Sequence, residues 1–400
     1  MSIRWKLPAA GITLCLAGLG ACSDGPETTP APVPETTAAR APGVVHTLLE
    51  DYRVVTVAEG LDVPWSLAWL PSGEMLITER SGNLRILRDG VLQSEPITGI
   101  PAVKAVDQGG LLDVAAHPNF GYNRLVYFTY SKPATDGSGS STTALGRGRL
   151  EGNRLLEVEE IFVAKAWSDT NGHYGSRIAF DDAGHLFMTV GDRQAPPSGD
   201  LKNHPAQRLD THQGKVLRLN EDGSAPADNP FSGVSGALPE IWSYGHRSLQ
   251  GLAIHPVTGQ LWQTEHGPQG GDELNLIVPG SNYGWPVIGY GVNYGPGAPI
   301  HQAQRQEGME QPKYFWVPVI AASGLMIYNG NAFPEWKGNL FAGGLAGQKV
   351  VRLEVSGDSV LSTEVIFSGH RVRDVREGPD GFIYLAAEDS GEILRLEPAR

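Results

Sequence analysis

The sequence QGLAIHPVTGQLW, residues 250–262, contains two apolar runs joined by the turn Pro256-Val257-Thr258-Gly259. Short apolar runs around a Gly/Pro turn are typical of a β-hairpin. The loop TEHGPQGGDE, residues 264–273, follows directly. Its glycines reach backbone angles closed to other residues, so several carbonyl oxygens can turn toward one point. Carbonyl and carboxylate oxygens suit a hard cation such as calcium, although a lone loop of this kind is more often a plain turn.

The hairpin pattern occurs six times in the chain. The other five copies span residues 65–77, 111–128, 176–188, 323–343 and 372–385. An apolar–Arg–apolar phrase follows several copies, as in Val351-Arg352-Leu353. Six repeats of about four strands each predict an all-β fold, a six-bladed β-propeller. Long insertions lie between the second and fourth copies and before the fifth, and we expect these inter-strand loops on the active-site face.

Composition agrees with such a fold and excludes one class of partner. The 400 residues include Gly 51 and Pro 29, which suits many short strands and turns. The formal net charge is −13. Nucleic-acid binding requires clustered Lys and Arg, so the charge argues against a nucleic-acid partner.

The N-terminus has the pattern of an export signal. Arg4 and Lys6 precede an apolar run that is too short to span a bilayer. Leu19-Gly20-Ala21-Cys22 resembles the lipobox of bacterial lipoproteins, which implies a lipid on Cys22; the alternative is an ordinary secretory signal. We predict a signal peptide at 1–21, a flexible tether at 22–43 and a catalytic propeller at 44–400. Ser23, by the same resemblance, implies anchoring to the outer membrane, facing the periplasm.

Polar phrases precede four of the hairpins. They contain Gln108, His173, the pair Arg247-Ser248, and Arg371 with Arg373. Equivalent positions in a propeller converge around the pseudo-symmetry axis, so we expect one mouth lined by Gln, His and three Arg. His can serve as a general base, and several Arg indicate an anionic ligand. Taken singly, each residue is as well explained by a structural hydrogen bond or an inter-blade ion pair.

Together these phrases resemble one family. They are QGGLLD (108–113), HYGSR (173–177), WSYGHR (242–247), EHGPQGGDE (265–273), NYGWP (282–286) and RVRDV (371–375). The chain is similar, from residue 54 to 396, to the soluble PQQ-dependent sugar dehydrogenases of the glucose/sorbosone dehydrogenase family, in particular to bacterial aldose sugar dehydrogenases.

The resemblance implies a role for each site residue. His173 matches the catalytic base, with Arg247 stabilising developing charge. The cofactor-binding positions are Gln108, His173, Arg247, Ser248, Arg371 and Arg373. The backbone oxygens of Gly267 and Pro268 match ligands of the calcium that contacts PQQ, and Asp272 lies near it. Glu273 and the carbonyl of Tyr283 match a second calcium site.

Two positions depart from the family pattern. Ser248 stands where the family often has Asn, and Ala346 stands where a Lys usually contacts PQQ. Lys349 lies three residues further on and could replace that Lys.

The predicted function is an exported oxidoreductase that uses PQQ and Ca²⁺ to oxidise the anomeric hydroxyl of aldose sugars to lactones. An external electron acceptor would reoxidise the cofactor, and the protein would be a monomer or dimer. Two alternatives stay open: a calcium-dependent propeller lactonase, which needs no quinone and no carboxylate-binding arginines, and a non-catalytic binding propeller.

Overall fold

The computed structural model describes residues 43–399. The predicted signal peptide, Cys22 and all of the tether except Gly43 lie outside the described residues. Within residues 43–399, no helix has both the length and the apolar character needed to cross a membrane.

In the part of the chain that the structure describes, twenty-five β-strands form six antiparallel sheets. The first two strands are β1 (Val45–His46) and β2 (Asp51–Ala58). Sheet one contains β3 (Pro64–Trp69), β4 (Met75–Glu79), β5 (Leu84–Arg88) and β6 (Val91–Leu92). Sheet two contains β7 (Leu111–Ala116), β8 (Leu125–Pro133), β9 (Ser141–Glu151) and β10 (Arg154–Val163). Sheet three contains β11 (Ile178–Phe180), β12 (Leu186–Val190), β13 (Lys215–Leu219) and β14 (Ile241–Tyr244).

The remaining strands follow the same order. Sheet four contains β15 (Ser248–Ile254), β16 (Leu261–His266), β17 (Asp272–Ile277) and β18 (Tyr314–Trp316). Sheet five contains β19 (Ala322–Ile327), β20 (Leu340–Gly344), β21 (Lys349–Ser356) and β22 (Ser359–Ser368). Sheet six contains β23 (Val372–Glu377), β24 (Ile383–Ala387) and β25 (Glu392–Pro398). Helical segments are the α-helix α1 (Phe120–Asn123) and the 3₁₀ turns Leu201–Asn203, Pro205–Gln207 and Pro334–Trp336.

The sheets form a closed ring. The first strands β3, β7, β11, β15, β19 and β23 contact one another in that order, and β23 contacts β3. The ring closes because β2 pairs with β25, so the N-terminal strands complete the sixth sheet. The predicted six-bladed propeller is confirmed. Each predicted hairpin forms the first two strands of one blade.

The hydrophobic core lies between neighbouring blades. All five residues of β4 and of β12 are buried, so these strands contact apolar side chains on both faces. Leu76 and Ile86 of the first blade pack in one cluster with Leu111 and Phe128 of the second. Full burial of each such side chain stabilises the fold by about 1.5–3 kcal/mol. The apolar–Arg–apolar phrases form third strands, where Arg352, for example, pairs with Glu364 at 2.9 Å.

A buried ion network crosses the ring axis. Arg177 Nη1 lies 2.9 Å from Asp374 Oδ1, and Arg376 contacts both Asp374 (2.9 Å) and Asp113 (3.1 Å). Arg177 also donates a hydrogen bond to the carbonyl of Arg373 at 2.8 Å. Buried charges are costly unless they are paired. The pairing therefore fixes the first strands of blades two, three and six relative to one another.

One face of the ring, here called the mouth, carries two kinds of strand end. First strands begin there and second strands end there, because each blade is antiparallel. The prediction that the long insertions lie on this face is confirmed for 193–212 and 282–301, which contribute Gln194 and Trp285 to cavities at the mouth. Residues 220–240 contribute no lining residue to the cavities at the mouth, so for this segment the placement stays a prediction.

Candidate active site

His173 and Asp192 form a buried hydrogen-bonded pair at the mouth. His173 Nδ1 lies 2.6 Å from Asp192 Oδ1, and the other carboxylate oxygen accepts a hydrogen bond from Trp285 Nε1 at 2.8 Å. The Gln108 side chain accepts a hydrogen bond from the His173 backbone N–H at 2.8 Å. Because Nδ1 is held by a carboxylate, Nε2 is the ring nitrogen left to act on a bound molecule.

The surroundings keep His173 neutral. Burial lowers the pKa of His173 below its ordinary value of 6.5, although Asp192 partly opposes that effect. Burial alone would raise the pKa of Asp192, but His173 and Arg247 hold it below its usual range. A neutral imidazole beside an ionised carboxylate is the arrangement that a general base requires.

Arg247 lies beside this pair and stacks on the same tryptophan. Its guanidinium carbon is 5.2 Å from the Trp285 ring centre. Nη1 donates to the carbonyl oxygens of His266 (3.1 Å) and Gly267 (2.8 Å). Nε is buried and has no hydrogen-bond partner within residues 43–399. That N–H is available to an oxygen atom of a bound ligand.

These residues line one of two adjoining cavities. The histidine cavity, of about 290 Å³, is lined by residues that include Gln108, His173, Asp192, Arg247, Pro268 and Trp285. The arginine cavity, of about 230 Å³, is lined by residues that include Arg80, Gln108, Gln250, Arg371, Arg373 and Glu388. Gln108 and His266 line both. A larger surface groove, of about 570 Å³ near Asn331 and Asp380, shares none of these residues.

Glu388 holds the two arginines of the sixth blade. Its Oε1 accepts from Arg371 Nε at 2.9 Å, and its Oε2 accepts from Arg373 Nε at 2.8 Å. Arg373 Nη1 also donates to the Gln250 side chain at 3.1 Å. Both predicted arginines therefore line one cavity together, but a carboxylate of the protein occupies them.

The two departures from the family pattern lie in different places. Ala346 lines the arginine cavity, whereas Lys349 on β21 is not among its lining residues. Ser248 is fully buried, and its hydroxyl accepts from Gln250 Nε2 at 3.2 Å. Ser248 therefore supports Gln250 from behind the wall, and a direct contact of Ser248 with a cofactor stays a prediction.

The loop after β16 is shaped by close backbone packing. A Cβ on Gly267 would lie 2.3 Å from the carbonyl oxygens of Gly270 and Gly271, so only glycine fits there. Asp272 accepts backbone N–H groups from Gly267 (2.9 Å), Ile320 (2.9 Å) and Ala322 (3.1 Å). Burial raises the pKa of Asp272 to about 6, against the opposing effect of these backbone hydrogen bonds. Its contacts hold the loop in shape, and metal binding by Asp272 stays a prediction.

Two carboxylates lie beside this loop, the buried Glu265 and the partly buried Glu273. Glu265 and Glu273 are opposite each other in the pairing of β16 with β17, and Asn275 Nδ2 lies 3.0 Å and 3.2 Å from them. They line a small cavity of about 20 Å³ together with Tyr283. Burial, and then Glu265, raise the pKa of Glu273 well above its usual range.

The donors around these cavities fit an anion and a cation at separate places. The arginine cavity combines three guanidiniums with a single carboxylate, which suits a polyanionic cofactor such as PQQ. The loop offers carbonyl oxygens next to the carboxylates of Glu265 and Glu273, which suits calcium. Within residues 43–399, no three His, Cys, Asp or Glu side chains are grouped to hold a metal ion, so carbonyl oxygens would have to complete the site.

Sequence inspection missed Arg80, Asp192 and Glu388. All three lie within two residues of the end of a second strand, namely β4, β12 and β24. The loop at Gly267, which the sequence analysis selected, also follows a second strand, β16. Inspection of the residues that follow the other second strands would have found Arg80, Asp192 and Glu388. The signal for Asp192 and Glu388 is a carboxylate one or two residues after a buried β-strand.

Comparison with known proteins agrees with this geometry. The Glucose / Sorbosone dehydrogenase family model matches residues 61–395. The aldose sugar dehydrogenase YliI of Escherichia coli (strain K12) is 42% identical over 354 residues, which cover 86% of this chain and 93% of that protein.

Two solved structures are also similar. The soluble aldose sugar dehydrogenase of Escherichia coli in the apo-form is 41% identical, with a TM-score of 0.81 over 87% of this chain and 99% of that one. The PQQ-bound form of an aldose sugar dehydrogenase from Streptomyces coelicolor is 27% identical, with a TM-score of 0.69 over 86% of this chain and 98% of that one. By the extent of these matches, the chain belongs to the glucose/sorbosone dehydrogenase family.

Proposed function

We propose that this protein oxidises the anomeric hydroxyl of aldose sugars to lactones, with PQQ as its cofactor and calcium as its metal ion. The observation that carries the proposal is the position of the His173–Asp192 pair, in a cavity that adjoins a second one lined by arginines. A PQQ-bound structure of a family member supports the choice of cofactor.

His173 accepts the proton of the sugar hydroxyl through Nε2. Burial keeps the ring neutral before the reaction, and Asp192 stabilises the positive charge that the ring gains. A general base of this kind contributes roughly 10²–10⁴-fold to a rate. When bound, PQQ supplies the acceptor for the hydride that leaves the anomeric carbon.

Arg371, Arg373 and Gln108 hold the cofactor from the arginine cavity, and Arg247 contacts it from the histidine cavity. The unpartnered Nε–H of Arg247 would stabilise the negative charge that develops on the cofactor. This division assigns binding to the arginine cavity and proton transfer to the histidine cavity.

Calcium is proposed at the loop after β16, held by the carbonyl oxygens of Gly267 and Pro268. A second calcium is proposed between Glu273 and the carbonyl of Tyr283, where it would offset the charges of Glu265 and Glu273. In this structure the Gly267 carbonyl accepts a hydrogen bond from Arg247, and it can share its second lone pair with a cation.

Export and anchoring belong to the same proposal and rest on the sequence alone. The lipobox at Cys22 supports an outer-membrane lipoprotein that faces the periplasm, with residues 22–43 as a tether. An external electron acceptor would then reoxidise the cofactor. The sequence is equally consistent with a monomer and a dimer.

Reconstitution tests the proposal. Metal-free, cofactor-free protein is mixed with PQQ, with calcium or with both, and aldose oxidation is followed with a redox dye. We expect oxidation only when both are present, with a lactone as product. Lactone hydrolysis without PQQ would instead indicate the lactonase alternative, and no PQQ binding at all would indicate a non-catalytic propeller.

A further inference from the structure

One carboxylate in the arginine cavity has no part in the mechanism above. Glu388 follows β24, and its backbone N–H donates to the carbonyl of Arg371 at 2.9 Å, which fixes its position. Its side chain is only 8% exposed. Arg371 and Arg373, the residues expected to bind the carboxylates of a ligand, each donate to a different oxygen of Glu388.

Glu388 thus makes the contacts that a ligand carboxylate would make. A guanidinium binds a carboxylate best through two parallel N–H donors, and Glu388 occupies the Nε donor of both arginines. Burial would raise the pKa of Glu388, but Arg373 and Arg371 outweigh that effect and the pKa is lowered. Glu388 is therefore ionised at neutral pH and places a negative charge in a cavity proposed for an anion.

The other lining residues of the arginine cavity determine which charged groups are left to bind a ligand. Arg80 lines the same cavity, and its side chain forms no ion pair with any residue of the described range 43–399. Ala346 contributes no charge. The anion-binding strength of the cavity thus depends on how firmly Glu388 holds Arg371 and Arg373.

We propose that Glu388 is a built-in competitor of the anionic cofactor, which occupies Arg371 and Arg373 in its absence and sets the affinity of this site. The inference rests on the proposed function. A ligand carboxylate must displace Glu388 from at least one arginine, or bind beside it against its charge. In either case, removal of the Glu388 charge strengthens binding.

The test is an equilibrium titration of calcium-loaded protein with PQQ, followed by tryptophan fluorescence and by calorimetry. The variant Glu388→Gln removes the charge but keeps an oxygen that can accept from the arginines. Glu392→Gln removes an equal charge from the same blade, at a position that lines neither cavity. We expect Glu388→Gln to lower the Kd for PQQ roughly tenfold or more, the scale of one charge–charge interaction near a protein surface. Glu392→Gln should change it less than about twofold.

Equal or weaker PQQ binding by Glu388→Gln, with the wild-type fold verified by circular dichroism, would overturn the proposal. Glu388 would then serve to position the arginines for the ligand. If the wild type binds no PQQ, the proposed function fails, and PQQ binding by Glu388→Gln then tests the competitor role by itself. Binding recovered in Glu388→Gln alone would support the competitor role, whereas no binding in either protein would overturn that role as well.

Discussion

Nδ1 of His173 lies 2.6 Å from Oδ1 of Asp192, although 19 residues separate them in the chain. His173 precedes the first strand of the third blade and Asp192 follows its second strand, so the hairpin itself brings them together. Trp285 fixes the other oxygen of the carboxylate. The pair is therefore rigid, which is what a base that must keep one tautomer requires.

Asp192→Asn should change both the rate and its pH dependence. The pKa of His173 lies below 6.5 because burial lowers it, and Asp192 partly raises it again. The wild-type kcat/KM should fall on acidification through a pKa below 6.5, where the imidazole becomes protonated. The variant should show this acid limb at still lower pH, with a plateau reduced roughly 10²-fold. Steady-state rates between pH 4 and 8 provide the measurement.

Asp181→Asn is the matched control for Asp192→Asn. Asp181 pairs with His185 at 3.2 Å in the same blade, at the turn between β11 and β12, on the face opposite the mouth. It should leave the pH profile unchanged. An Asp192→Asn enzyme with the wild-type acid limb and plateau would show that Asp192 does not act on the base.

Arg373→Ala should weaken PQQ binding before it affects turnover. The substitution removes a charge-assisted contact to a ligand carboxylate, and such contacts contribute about 1.5–3 kcal/mol. We expect a Kd increased by about tenfold to hundredfold, with turnover at saturating PQQ close to wild type. Arg395→Ala, which removes an arginine paired with Glu397 outside the cavities, is the control. Wild-type affinity in Arg373→Ala would mean that the cofactor binds elsewhere.

Glu273→Gln should separate the effect of calcium binding on thermal stability from the effect of the Glu273 charge. The raised pKa of Glu273 means that its ionisation costs folding free energy as the pH rises through that pKa. Without calcium at pH 8, the uncharged Gln should raise the Tm by roughly 2 °C or more. Calcium should raise the Tm of the wild type more than that of Glu273→Gln, which keeps only the site at Gly267 and Pro268.

Scanning calorimetry with a chelator and with calcium measures both effects. Glu240→Gln alters another part-buried carboxylate, paired with His212 at 3.3 Å, and should keep the calcium effect. A full calcium-dependent increase of Tm in Glu273→Gln would exclude Glu273 as a metal ligand.

Cys22→Ser should release the protein from membranes. The lipobox ends at Cys22 and a polar segment follows it, so the lipid would be the attachment. Fractionation of cells that express each form, with mass spectrometry of the N-terminus, makes the comparison. A wild type that fractionates as soluble, with unmodified Cys22, would contradict the anchoring proposal.

Much of the propeller was predictable, because its hairpins carry local signals. The turn after Ile254 and the apolar runs around it define two strands without long-range information. The pairing of β2 with β25 was not predictable in this way, since these two strands lie at opposite ends of the described residues. Ring closure depends on the unpaired edge of β25. That edge can be identified only when all six blades are in place.

The site was predictable where residues precede or begin a first strand, and three residues that follow a second strand were missed. Gln108, His173 and Arg247 precede a first strand, and Arg373 is the second residue of β23. Glu388 was missed because a carboxylate after an apolar strand is an ordinary feature in sequence. The role of Glu388 follows from its contacts with Arg371 and Arg373, which lie across the β23–β24 pairing.

The most direct test of the account compares PQQ binding and sugar oxidation in His173→Gln. His173 is assigned to the substrate proton, so the variant should bind PQQ with nearly wild-type affinity and oxidise aldose roughly 10²–10⁴-fold more slowly at saturating PQQ and calcium. His185→Gln, the matched histidine on the opposite face of the same blade, should retain both properties. Normal turnover in His173→Gln would contradict the assignment of the base and, with it, the proposed active site.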